Sequence, residues 1–170
     1  MKKRILVLPL LAVLLFSCAK EQAPAFDTPF EEFKFSLQWG VELDASYNSD
    51  TKQLVKFTHV RERQPEDYIT TYTYPNLQEV YDSVKAMNPN SYADDYDPFS
   101  SKKHVMTTPS THYKLTIGDK TIEIKEFPIG NKEGLSNKGK KLMNLIFSIT
   151  DTIENSDEWK ALPEFEYYYM

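Results

Sequence analysis

Three histidines, one short run of aspartates and one tyrosine-rich stretch are the residues in this chain whose types and spacing could do chemistry. Nucleophilic catalysis needs a Ser, Thr or Cys held against a base. His59, His104 and His112 are the available bases, but no Gly-x-Ser-x-Gly elbow or Ser-x-x-Lys pair accompanies them. Each reads as a surface or strand-end histidine. Asp94-Asp95-Tyr96-Asp97 is the densest acidic cluster. Calcium takes its six to eight oxygen ligands from such clusters. An EF-hand loop starting at Asp95 would, however, set Ser100 where the sharp turn needs glycine and Met106 where the bidentate Glu belongs. The cluster therefore reads as a solvated acidic loop, and no metal or other cofactor is expected. Glu42, Asp44, Glu123 and Glu126 could supply an acid pair for glycoside hydrolysis, but nothing in their spacing singles out two of them. Tyr68, Tyr72 and Tyr74 share one face of an extended stretch, with Thr70 between them. Flat amphipathic rings on a rigid strand can stack on sugars or form a protein-binding surface. Alternatively that face packs under the helices and leaves Ile69, Thr71 and Thr73 outside, as large rings usually do.

The whole-chain numbers narrow the field. With 170 residues the chain suits a single domain with a real core. One cysteine excludes an internal disulfide framework and a Cys-based zinc cluster. A formal charge of −5 argues against a nucleic-acid partner, which would need clustered Lys and Arg.

Strands come first and helices later. Phe33, Phe35, Leu37, Trp39, Val41 and Leu43 alternate with polar residues and predict one long strand. Turn chemistry at 46–51 separates it from a second strand over Leu54–Val60, and Tyr68–Tyr74 forms a third. The period then becomes helical, with Asn76 as cap, Glu79 reaching back to it, and Leu77, Val80, Tyr81 and Val84 on one stripe. Residues 91–110 show little period and read as a long loop. Tyr113, Leu115 and Ile117 form a hairpin with Ile122 and Ile124 across Gly118-Asp119, in a register that sets Leu115 opposite Ile122 and Tyr113 opposite Ile124. Ser136 starts a second helix with Leu142, Leu145, Ile146, Ile149 and Ile153 as its buried stripe, and Ser156 caps a short last one that ends at Pro163. The Tyr167-Tyr168-Tyr169-Met170 tail reads as a terminal strand or a second aromatic patch. The order βββ-α-ββ-α predicts an α+β domain, an antiparallel sheet with two helices packed on one face.

The amino terminus is of a different kind. Lys2, Lys3 and Arg4 precede an apolar run from Ile5 to Phe16. Twelve residues make roughly 18 Å of helix, short of the ~30 Å hydrocarbon core, so the run reads as a secretory signal and not a membrane span. Leu15-Phe16-Ser17-Cys18 resembles the lipobox of bacterial lipoproteins. That resemblance implies cleavage before Cys18, acylation of Cys18 and stable anchoring in a membrane. Ala19 in place of Asp points to the outer membrane, without saying which face. The expected organisation is a signal peptide at 1–17, lipidated Cys18 and a tether at 18–29, and one domain at 30–170. Residues 1–17 carry three positive charges and no acid, so their removal takes the formal charge from −5 to −8. The closing Glu158-Trp159-Lys160-Ala161-Leu162-Pro163 resembles the ends of small bacterial secreted proteins to which no activity is attached.

The expected function is accordingly a non-enzymatic, lipid-anchored module of the cell envelope that binds a protein or glycan through Tyr68, Tyr72 and Tyr74 and the neighbouring loop. An alternative is an inhibitor or protective lipoprotein that presents Asp94, Asp95 and Asp97 to a basic envelope hydrolase. A small hydrolase is a third reading. A concave groove lined by Tyr and carboxylates favours ligand binding, and a protruding 91–110 loop favours inhibition.

Overall fold

The computed structural model describes residues 23–57, 68–100, 110–129 and 133–164. The expectations that fall on Cys18, His59, His104 and the 167–170 tail lie outside the described residues.

The alternating run at the start of the domain is two strands, not one. β1 covers Phe35–Gly40 and ends where Gly40 adopts a φ of +118°. A Cβ at Gly40 would lie 2.9 Å from the Asp44 backbone nitrogen, so glycine is required for the chain to fold back this tightly. The Asp44 carboxylate accepts from the Glu42 N–H at 3.4 Å, Leu43 is left-handed at φ 56°, and β2 then runs over Ala45–Asn48. Leu37 pairs with Tyr47 and Trp39 with Ala45. Val41, expected on the buried face, sits in the turn and is 46% exposed. The second turn forms where its chemistry is richest: Asn48 Oδ1 accepts from the N–H groups of Asp50 at 2.9 Å and Thr51 at 3.2 Å. β3 follows over Gln53–Lys56 and β4 over Ile69–Thr71.

α1 spans Leu77–Met87. Asn76 precedes it as expected, but its side chain makes no capping bond; its carbonyl accepts from Glu79 and Val80 instead. β5 (Ser110–Ile117) and β6 (Lys120–Pro128) close around Gly118-Asp119 in the expected register, Leu115 opposite Ile122 and Tyr113 opposite Ile124. α2 spans Asn137–Glu154, capped by Ser136 Oγ accepting from the Gly139 N–H at 2.9 Å. α3 is the single turn Asp157–Lys160, capped by Ser156.

The six strands form one antiparallel sheet in the order β4-β3-β2-β1-β5-β6. The domain is therefore α+β, with one more strand before α1 than the sequence pattern suggests. Alternate strand residues (Phe35, Leu37, Trp39, Tyr47, Leu54, Leu115, Ile122, Ile124) join Val80 and Val84 of α1 and Leu142, Ile146, Ile149 and Ile153 of α2 in one buried cluster. Toward the far end of α2, Trp39 stacks on Trp159 at 5.5 Å and donates from Nε1 to Glu154 at 2.8 Å, and Lys56 Nζ lies 4.7 Å from the Trp159 ring centre. No described helix is long and apolar enough to cross a membrane.

Candidate functional site

The tyrosine stripe faces inward. Tyr72 and Tyr74 are 5% and 7% exposed, and the intervening Thr73 is exposed. Tyr47 organises them: its hydroxyl donates to the Tyr72 carbonyl and accepts from the Tyr74 N–H, both at 3.3 Å, and its ring lies 5.6 Å from Tyr72 and 6.1 Å from Tyr74. Burial raises the pKa of Tyr47 and Tyr74 and pushes Tyr72 up to about 12. Of the two readings of the Tyr68–Tyr72–Tyr74 face, the exposed binding face is thus corrected, and the other holds: Tyr72 and Tyr74 pack inward and leave Ile69, Thr71 and Thr73 outside. The large rings gain more by joining the core than by standing in water, and only Tyr68 is half-exposed.

Tyr72 nevertheless reaches the surface at one edge. It lines an open depression of about 520 Å³ together with Pro75 and four residues from the end of α2, Asp151, Thr152, Asn155 and Ser156. Asp151 and Asn155 are exposed. Asn155 is held by its Nδ2 donating to the Asp151 carbonyl at 2.7 Å, and Thr152 Oγ1 donates to the Ser148 carbonyl at 2.7 Å. The depression therefore joins an aromatic edge to a carboxylate, an amide and two hydroxyls. The helix-end residues were not singled out from the sequence. Their only signal there is a clustering of Thr, Asp, Asn and Ser after the last apolar turn.

The acidic run is docked along the sheet. The Glu123 N–H donates to the Asp94 carbonyl at 2.7 Å and the Tyr96 N–H to the Glu123 carbonyl at 2.9 Å, so residues 94–96 extend the β6 edge as a parallel partner. Lys120 pairs with Asp94, Lys125 with Asp95 at 3.0 Å, and Asp97 accepts from the Phe99 N–H at 3.0 Å. Two of the three aspartates thus already face lysines of this chain. Beyond Ser100 the 101–109 part of the loop lies outside the described residues.

His112 and Glu123, separate in the sequence reading, meet across the β5–β6 pair, Nε2 to Oε1 at 2.8 Å. A bulge lies beside this pair at Lys125-Glu126, where Glu126 adopts φ 58° and the register shifts between Thr111 and Tyr113. His112 alternates with buried Tyr113 and so points away from the core, to the other face of the sheet. Among the described residues no group of three or more His, Cys, Asp or Glu could hold a metal ion.

The supposed tether is also partly docked. The Pro24 carbonyl accepts from Asn88 Nδ2 at 3.1 Å and Asn90 Nδ2 at 3.3 Å, and Tyr81 donates its hydroxyl to the Thr28 carbonyl at 3.0 Å. Phe26 and Phe33 lie 6.2 and 5.3 Å from the Tyr81 ring. Residues 24–29, expected to be a leash, pack on α1 because their two aromatic neighbours offer apolar area that water does not.

Comparison of the chain with models of protein families matches none of them, and comparisons with curated proteins and with solved structures likewise give no match.

Proposed function

We propose that this is a lipid-anchored protein of the bacterial cell envelope that binds a glycan in the depression beside Tyr72, and acts by binding rather than by catalysis. The observation that carries the ligand class is the lining itself. A ring edge set beside an exposed carboxylate, an amide and hydroxyls matches the alternating apolar and hydroxyl-bearing surface of a sugar. His112 and Glu123, which meet as a hydrogen-bonded pair, stand on the sheet face turned away from the core and are not among the residues of this lining. The anchor rests on the positive-apolar-Cys order of residues 2–18.

Binding of the purified full-length protein to arrayed envelope glycans tests the site. Asp151→Ala combined with Asn155→Ala should weaken binding about tenfold, the equivalent of one charge-assisted hydrogen bond at ~1.5 kcal/mol. An unchanged glycan profile would remove the depression as the site. Cys18→Ala should move the protein from the membrane to the soluble fraction, and continued sedimentation with membranes would remove the anchor.

A further inference from the structure

The docked segment before β1 fixes how far, and in which direction, a lipid on Cys18 can hold the domain. With Pro24 bound to the Asn88 and Asn90 side chains, only residues 19–23 are left between Cys18 and the folded body. Five residues reach roughly 17 Å when extended, against roughly 40 Å for a leash running to Pro29. The attachment point also has a definite place in the fold. Residues 94–96 run parallel to β6 beside Glu123, with Asp94 paired to Lys120, so the preceding Pro89–Ser91 turn, which packs against β6, lies toward the start of that strand. β1 starts at that same end, where Phe35 pairs with Ile117, and the Asn48–Gln53 connection joins β2 to β3 there as well. The turn containing Val41 is at the other end of β1, roughly 17 Å away.

Resting on the lipid-anchored reading above, we propose that this strap turns the end of the domain bearing Asn88, Asn90 and Asp119 toward the lipid headgroups, and that the Val41 turn faces away from the membrane. The end in question presents the exposed side chains of Asp50, Lys52, Asn90 and Asp119, suited to a hydrated headgroup layer. Among the described residues, the exposed large hydrophobics that could insert lie elsewhere. Val41 and Ile129 are at the opposite end, and Ile69 is on the edge strand β4. For the Val41 end to meet the bilayer, the leash would have to pass around a body roughly 35 Å across, twice its own reach.

Acylation consumes the chain's one cysteine, so a thiol introduced elsewhere is unique. Full-length acylated protein carrying Asp119→Cys or Val41→Cys is labelled with a fluorescent donor and placed in phosphatidylethanolamine–phosphatidylcholine vesicles with rhodamine-headgroup acceptors. Transfer from position 119 should exceed that from position 41 at least about twofold, reflecting the length of β1 between them. Equal or reversed transfer overturns the orientation. Adding Asn88→Gly, Asn90→Ala and Tyr81→Ala to both labelled proteins, which removes the bonds to Pro24 and the ring that seats Phe26, should bring the ratio toward one as the leash lengthens. A ratio that stays unchanged overturns the strap as its cause. Intact mass of the same preparations separates the two ideas: an unacylated Cys18 removes the anchored reading and the orientation with it, whereas an acylated Cys18 with equal transfer removes the orientation alone.

Discussion

Burial rewrites the acid–base behaviour of the tyrosines more than that of any other described residue type. Tyr72, Tyr92 and Tyr113 are each pushed up to about 12, in every case chiefly by loss of water around the phenol. A second contribution adds to this where phenols are neighbours, as between Tyr72 and Tyr74 or Tyr92 and Tyr96. In the unfolded chain each phenol would ionise near its ordinary value of about 10. Between pH 10 and 12 the unfolded state has therefore lost protons that the folded state still holds, and folding stability falls as pH rises through that window. Below pH 10 both states keep the protons and the effect vanishes. Three such groups acting together should give a steep alkaline unfolding transition. Phenolate absorbance near 295 nm and near-ultraviolet circular dichroism should change together, at a midpoint above pH 10. Gradual ionisation near pH 10 with dichroism intact would show that these phenols are wet.

The segments between the regular elements carry more of the architecture than their lack of period suggests. The Ser136 N–H donates to the Pro98 carbonyl at 2.9 Å, the Ser100 N–H donates to the Gly134 carbonyl at 2.9 Å, and Tyr92 donates its hydroxyl to the Lys138 carbonyl at 3.0 Å. The contact closes at Gly139, where a Cβ would stand 2.0 Å from the Pro98 oxygen and 2.8 Å from its carbonyl carbon. Alanine would ordinarily stabilise a helix by about 1 kcal/mol over glycine. Here the clash is with backbone held by its own hydrogen bonds, so Gly139→Ala should destabilise the domain by about 2 kcal/mol net. The urea midpoint should drop with an unchanged slope; an equal or higher midpoint would mean that the 97–100 segment shifts without cost. None of this packing could be read in advance, because Gly139 looks like an ordinary helix position and residues 91–100 show no repeat. What was legible was whatever repeats along one element. The β5–β6 register followed from the alternation on both sides of Gly118-Asp119, and the α2 stripe from its 3.6-residue spacing. The break in β1 was not legible, since the apolar alternation continues through Val41 and Leu43 and only the close approach of Asp44 to Gly40 interrupts it. For the candidate site, the inward packing of Tyr72 was legible as one of the two faces its strand could bury, but its one accessible edge was not. Asp151 and Asn155 become its neighbours only when α2 packs beside the stretch after β4.

Taken as a whole, the folded body begins earlier than its alternating strands do, and Tyr81 is the reason. Its ring meets Phe26 at 6.2 Å, Phe30 at 5.4 Å and Phe33 at 5.3 Å, all edge-on, and its hydroxyl donates to Thr28. Edge-to-face pairs of this kind add about 0.5–1.5 kcal/mol each beyond the area they bury. The ring thus contributes more to holding the segment than the single hydrogen bond, whose removal costs about 1 kcal/mol. Two substitutions separate these contributions. Tyr81→Phe keeps every ring contact and should lower stability by about 1 kcal/mol while residues 24–33 stay docked. Tyr81→Ala removes the surface on which three phenylalanines sit and should cost about 3 kcal/mol. Much of that loss should be local, because the segment then retains the bonds from Asn88 and Asn90 to Pro24, the edge contact of Phe26 with Phe33 and the stacking of Phe33 on Phe35. Brief chymotrypsin digestion under native conditions reads the difference directly. Cuts after Phe26 and Phe30 should appear in Tyr81→Ala well before the sheet is degraded, and be absent from Tyr81→Phe. Equal protection of the two variants would place the hold on the segment elsewhere, and would lengthen or shorten the leash to Cys18 independently of this ring.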